Sequence, residues 1–297
     1  MHLLLGHAED PCCAGVLARL EARGLPVRIV AAPLAPPARL TWRLDAACLA
    51  SSLYPDAPDT GIAGVLVRDT GWLEPDGWDA ADHAYMQAEL RAVTLAWLAG
   101  LACPVINRPD AALWYRPGAP LLAWRALLRR FGLPLPEVVV TSDPAEARAF
   151  RRRLAADGVA GAVYAPLTEA AGYLLADDDT WERLAALQAR APVCLVEPHG
   201  AVTLACIVGG AVIWDRAVPP EAVALEPALS GFAAAAHLAV VEIALAPVRR
   251  GLAVVLVDTL PRLEHFALPA RARILDALAA LLMQECAVAP TAPMVLS

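Results

Sequence analysis

The residues able to do chemistry are few, and they sit in short stretches. His7 follows an apolar run in LLLGHAEDP. A parallel sheet carries such a residue at the C-terminal end of a strand, where these sheets open a ligand crevice; the other role open to it is a loop bond to Glu9 or Asp10. Cys12 and Cys13 begin a helical pattern, and a helix N-terminus lowers a thiol pKa, but no base is placed beside them by sequence and packing is the favoured role. His199, before Gly200, reads as a hairpin turn residue. Arg148 and the run Arg151, Arg152, Arg153 form one solvated helix face rather than a nucleic-acid patch. Trp72, Trp78, Trp97, Trp114 and Trp124 gather around the middle of the chain, either as core packing or as an exposed interface. The firmest chemical fact is an absence: all 24 basic residues are arginine. Wherever a phosphate needs a lysine, this chain has none to give.

The chain has 297 residues, enough for two or three packed modules. Its net charge of −7 argues against a nucleic-acid binder, which needs a basic face, and leaves small molecules or proteins as partners. The seven cysteines form no CxxC pair or regular framework, which suits reduced thiols in a cytoplasmic protein. MHLLLGHAED has too short an apolar run for a signal peptide and no basic residue ahead of it. The longest apolar tract, 229–247, contains His237 and Glu242 and divides into a helix and a strand, so no membrane segment is expected.

The elements that would position these groups follow from periodicity. Residues 2–6, 26–32 and 64–69 read as strands around a helix over 12–24, a βαβ opening that builds a parallel sheet. A long helix runs from about 79 to 101, and CPVINRP (103–109) marks a boundary. Beyond it come a helix over 120–132, the extended LPLPEVVVTSDP, and a helix opened by Ser142 or Asp143 as cap with Pro144 in its first turn. Strand GAVYAPL, helix 178–191, strands PVCLVEP and VTLACIVGGAVIWD, helix 228–238, strands AVVEIAL and GLAVVLVDTL, and helix 269–285 complete an α/β (α+β) chain.

That order, with PVINRP, GLPLPEVVVTSDPAEARAF, AVYAPL, a V-G-G hairpin and a terminal VLVDTLP, resembles the ATP-grasp superfamily, and most of all its RimK-like carboxylate–amine ligases, including those that modify ribosomal peptides. The resemblance implies an ATP-grasp fold with a preceding parallel-sheet domain: residues 1–105 as the N-terminal domain, 106–290 as the ATP-grasp module of two subdomains, and 291–297 as a short tail. Members of the family activate a carboxylate as an acyl phosphate with ATP and Mg²⁺, and an amine then displaces the phosphate. That chemistry needs cations on the phosphates and oxygen ligands on magnesium.

Against the family pattern, the strand lysine before the proline is Ala165, and the second lysine falls near Leu121. Arg116, Arg108 and Arg125 are the arginines available as substitutes, Arg116 foremost. The hinge strand is matched loosely by CLVEP, which makes Glu197 the adenine or ribose contact. The family's Asp-x-Arg falls on Val202 to Leu204 and its Glu-x-Asn on Leu256 to Asp258, so Glu242 and Asp258 remain as the two metal-ligand positions; they can equally be a solvated strand-end pair. The expected function is therefore a RimK-like pseudoenzyme, non-catalytic or weakly catalytic, with no cofactor of its own and no assigned catalytic residue. It would act in a biosynthetic pathway as a homo-oligomer or in a hetero-complex with a pathway enzyme. The alternative is an active ligase that uses ATP and Mg, with arginines replacing the lysines.

Overall fold

The computed structural model describes residues 1–31, 41–44, 49–54, 57–58, 61–69, 73–108, 120–167 and 171–284. Two compact units are present, one formed by 1–110 with 263–265 and 271–297, the other by 111–262 with 266–270. A cut at residue 105 into consecutive stretches leaves out one feature: most of the closing helix counts with the first unit.

The first unit is built on a parallel sheet of β1 (His2–Leu5), β2 (Val27–Val30), β6 (Gly64–Val67) and β7 (Val105–Ile106), in the order β2-β1-β6-β7. All four residues of β1 are buried, as expected of a strand covered on both faces. Helix α1 (Pro11–Glu21) starts where Asp10 accepts the Cys12 amide at 2.9 Å and Pro11 presets the first turn. A Cβ on Gly15 would come within 2.5 Å of Leu275, so the missing side chain lets α1 lie against the closing helix α8 (Leu268–Leu282). Arg19 fastens the same contact through Asp276 at 2.5 Å. Helix α2 (Ala80–Gly100) buries Leu90, Thr94, Trp97 and Leu98. A three-stranded antiparallel ribbon of β3 (Thr41–Leu44), β4 (Leu49–Tyr54) and β5 (Ala57–Pro58) has no counterpart among the elements read from periodicity.

The second unit holds two antiparallel sheets. In the first, of order β10-β9-β11-β8, β8 is Val138–Thr141, β9 Ala162–Tyr164, β10 Tyr173–Leu175 and β11 Val193–Val196. Helices α4 (Pro144–Ala156) and α5 (Asp178–Gln188) cover one face through Phe150, Leu154, Trp181 and Leu184, which meet Ala162, Val193 and Leu195. Asp143, not Ser142, caps α4, accepting the Ala145 amide at 2.8 Å, while Thr141 Oγ1 accepts the Asp143 amide.

The other sheet, of order β13-β12-β14-β15, comprises β12 (Thr203–Val208), β13 (Ala211–Trp214), β14 (Val240–Val248) and β15 (Gly251–Asp258). Its inner residues Ile207, Val241, Ile243, Leu245, Val254 and Val257 pack with Leu128 of α3 (Pro120–Arg130) and Phe232 of α7 (Glu226–Ala235), which follows the single turn α6 (Pro220–Val223). Trp124 meets Phe232 edge to face at 5.9 Å. Among the described residues no helix is long and apolar enough to cross a membrane.

Candidate functional site

Strand period decides what each sheet offers away from its helices. In the β12–β15 sheet the core takes Ile207, Val241, Ile243 and Val257, so their neighbours along each strand face the other way. Two cross-strand rows result: Leu204, Ala244 and Leu256, and beside it Cys206, Glu242 and Asp258. The two expected metal ligands are thus directly opposite each other on β14 and β15, while the row where the resemblance places Arg and Glu is aliphatic throughout.

Both carboxylates are already engaged by the chain that follows β15. Glu242 is fully buried, and its Oε2 accepts the Arg262 amide at 2.8 Å. Asp258 Oδ1 accepts the Leu260 amide at 2.9 Å, with Arg262 Nε 3.8 Å from the other oxygen. Asp215, whose own amide bonds to the Leu204 carbonyl, is buried too and accepts the Ala267 amide at 2.5 Å. A buried carboxylate must find donors, and here a backbone amide supplies one to each: to Oε2 of Glu242 and to Oδ1 of Asp258 and of Asp215. Among the described residues no group of three or more His, Cys, Asp or Glu side chains could hold a metal. Two amide-bonded carboxylates beside a guanidinium are a poor match to the hard oxygen cage that Mg²⁺ needs.

In the β8–β11 sheet the outward row is Leu174, Val163, Val196 and Val138, with Ala165 just beyond Val163. Ala165 donates its amide to the Cys194 carbonyl at 2.9 Å and presents only a methyl. Burial beside Arg129 lowers the pKa of half-buried Arg125, which lies near Cys194 and gives Nη1 to the Pro136 carbonyl at 2.9 Å. Arg108, in the first unit, closes the C-terminus of α2 on the carbonyls of Leu98, Ala99 and Cys103. Arg116, like Trp72 and Trp114, lies outside the described residues.

Glu197 is buried after β11. Its Oε1 accepts the Arg249 amide at 2.6 Å and its Oε2 the Glu137 amide at 3.1 Å. The Arg249 guanidinium bonds Glu137 at 2.7 Å and Asp157, and lies 3.9 Å from Glu197. The β14–β15 turn is thereby tied to the segment before β8 and to the end of α4. Sequence reading missed Arg249, Glu137, Asp215 and Arg262; the one visible signal was the Arg249-Arg250 pair beside a turn glycine.

The remaining candidates resolve into structural roles. His7 is exposed; its ring stands 3.4 Å from Asp69, and its carbonyl accepts the Asp10 amide at 3.1 Å, a loop bond of the kind expected there. The Asp10 carboxylate pairs with Arg68 at 2.7 Å. Burial pushes the thiols of Cys12 and Cys13 up to about 12, outweighing any helix-terminus effect. His199 Nδ1 bonds the Gly200 carbonyl at 2.9 Å. Arg151 pairs with Asp178 and covers the Trp181 ring at 5.0 Å, and Arg153 pairs with Glu137.

Comparison of the whole structure with known ones identifies the fold. The macrocyclase MdnC of Microcystis aeruginosa MRC, bound with precursor peptide MdnA, matches at a TM-score of 0.76 and 15% identity, over 95% of this chain and 99% of that one. The ATP-grasp ligase PsnB, complexed with minimal precursor, Mg and ADP, matches at 0.72 and 20% identity, over 95% and 98%. A RimK domain ATP-grasp protein of Sphaerobacter thermophilus DSM 20745 matches at 0.59 and 19%, over 96% and 100%. The sequence itself matches no protein-family model and no curated protein.

Proposed function

Taking the ATP-grasp fold as given, we propose that this chain is a non-catalytic or weakly catalytic RimK-like protein that works in a cytoplasmic biosynthetic pathway by binding a protein partner. One observation carries the reading. The row Leu204, Ala244, Leu256 is aliphatic, and the sequence resemblance puts a cation at the first of these positions and a bridging carboxylate at the last. Ala165 repeats the loss on the other sheet. Removing a single well-placed electrostatic donor costs roughly 3–4 kcal/mol of barrier, about a hundred- to thousandfold in rate. Three or four such losses leave little of a normal turnover. The remaining carboxylates, Glu242 and Asp258, fit a structural role because one oxygen of each holds a backbone amide.

The structural neighbours complexed with peptides, one of them also with Mg and ADP, support association with a peptide or protein and keep the ligase reading as the competitor. Calorimetry with Mg-ATP separates the two. No heat of binding at millimolar ATP is expected, and no ADP release with candidate amine acceptors. Micromolar binding that Arg116→Ala abolishes would sink the non-catalytic reading.

A further inference from the structure

The parallel strands of the first unit begin on an apolar groove of about 450 Å³. Leu25 leads into β2, Ile62 into β6 and Pro104 into β7, and Met283 and Gln284 bring the chain leaving α8 to the same place. Leu25, Ile62, Pro104 and Met283 are each half-buried, so the unit covers their apolar surface only in part. Among the described residues no charged side chain lines the groove. Its imidazole, on buried His2, has its pKa lowered by burial and is neutral at pH 7. Parallel sheets bind small ligands at the opposite edge, beyond the strand C-termini. An uncharged, partly covered apolar groove at the strand N-termini suits a neutral stretch of polypeptide instead.

The chain itself delivers such a stretch to this place. Gln284, at the groove, is followed by ECAVAPTAPMVLS, residues 285–297, which lie outside the described residues. Past Glu285 none of these residues carries a charged side chain, and the most apolar run is Met294-Val295-Leu296. Pro290 and Pro293 bar a helix from running through to it. The intervening residues 285–293 reach at most about 30 Å at roughly 3.3 Å each. Four strand ends about 4.8 Å apart span only about 15 Å, so the apolar run can reach every part of the groove. A segment tethered beside its site acts at an effective concentration of about millimolar, which favours it over a separate partner. We propose that Met294, Val295 and Leu296 of this chain fold back onto the N-terminal ends of the first unit's strands and fill this groove. The surface is then taken by the chain's own segment, and a protein partner docks elsewhere. Whether ATP binds has no bearing on it.

The test uses the full chain labelled with ¹³C at its methionine methyl groups. There are four, at residues 1, 86, 283 and 294, so each signal can be followed alone. Met283 reports on the groove, Met294 on the segment, and Met86, on α2, on the integrity of the unit. In the parent, the Met294 signal should stand away from its position in the synthetic peptide AVAPTAPMVLS. Leu296→Asp should return it to the peptide position and also shift Met283, which is remote from residue 296 in sequence, with Met86 unmoved. Ala102→Glu, at an exposed residue of the groove, should release Met294 in the same way. A parent Met294 signal at the peptide position overturns the proposal, and so does a Met283 signal indifferent to Leu296→Asp or a Met294 signal indifferent to Ala102→Glu. A displacement of Met294 that vanishes on dilution also overturns it, by placing the segment of a second copy in the groove.

Discussion

Glu197→Gln separates a carboxylate that serves the fold from one that serves a nucleotide. In the folded chain each oxygen accepts one main-chain amide, from Arg249 at 2.6 Å and from Glu137 at 3.1 Å. Glutamine has the same shape but one oxygen and one NH₂, so whichever way it turns, one amide donor faces another donor. A buried donor left unsatisfied costs about 1–3 kcal/mol, and hydrogen bonds to a charged group are worth about 1.5–3 kcal/mol. The substitution should therefore cost roughly 2–4 kcal/mol. At about 2–4 °C per kcal/mol for a unit of this size, the melting temperature should fall by roughly 5–15 °C. Differential scanning calorimetry reads the shift, and titration with Mg-ATP on the same samples reads the other role. A melting temperature within about 1 °C of the parent, together with a loss of ATP affinity, would refute the structural assignment of Glu197.

Two further outcomes follow from other parts of the molecule. Ala165→Lys combined with Leu204→Arg should create measurable Mg-ATP affinity by calorimetry, because the two substitutions put cations at the positions where the sequence resemblance expects them; a folded variant that still ignores ATP would refute that alignment of the two positions or mean that the two sheets no longer suit a nucleotide. The Cys12 and Cys13 thiols, raised by burial from 9.0 to about 12, contribute stability that is complete below pH 9 and is lost as pH climbs toward about 12, since the unfolded chain ionises first. Urea titrations through that window should show the decline, and the double variant Cys12→Ala, Cys13→Ala should flatten it.

Much of this architecture was legible in the sequence because its signals are local. The all-apolar HLLL, the Asp-Pro start of α4 and the alternation in AVVEIAL each announce an element through its own residues. β10 escaped notice because Tyr173-Leu174-Leu175 is short and lacks alternation, and two of its three residues are exposed. The site divides in the same way. Ala165 and the lysine-free composition could be read directly, whereas the register that sets Glu242 opposite Asp258 came from the sheet. What could not be read was who holds those carboxylates. Arg262 lies 20 positions from Glu242, and Arg249 lies 52 from Glu197. Such partners are chosen by how turns fold back, which no pattern of residue types expresses.

The Gly15–Leu275 contact also sets an order of assembly. The stretch that separates these residues contains the body of the second unit, 111–262, so the first unit is completed only after that stretch has been made. At roughly 5–20 residues per second of synthesis, the gap between residue 108 and residue 271 is on the order of ten to thirty seconds. During that interval the second unit emerges entire and can fold, while α1 waits with its Gly15 flank uncovered. The second unit can therefore be complete while the flank of α1 still lacks the helix that covers it.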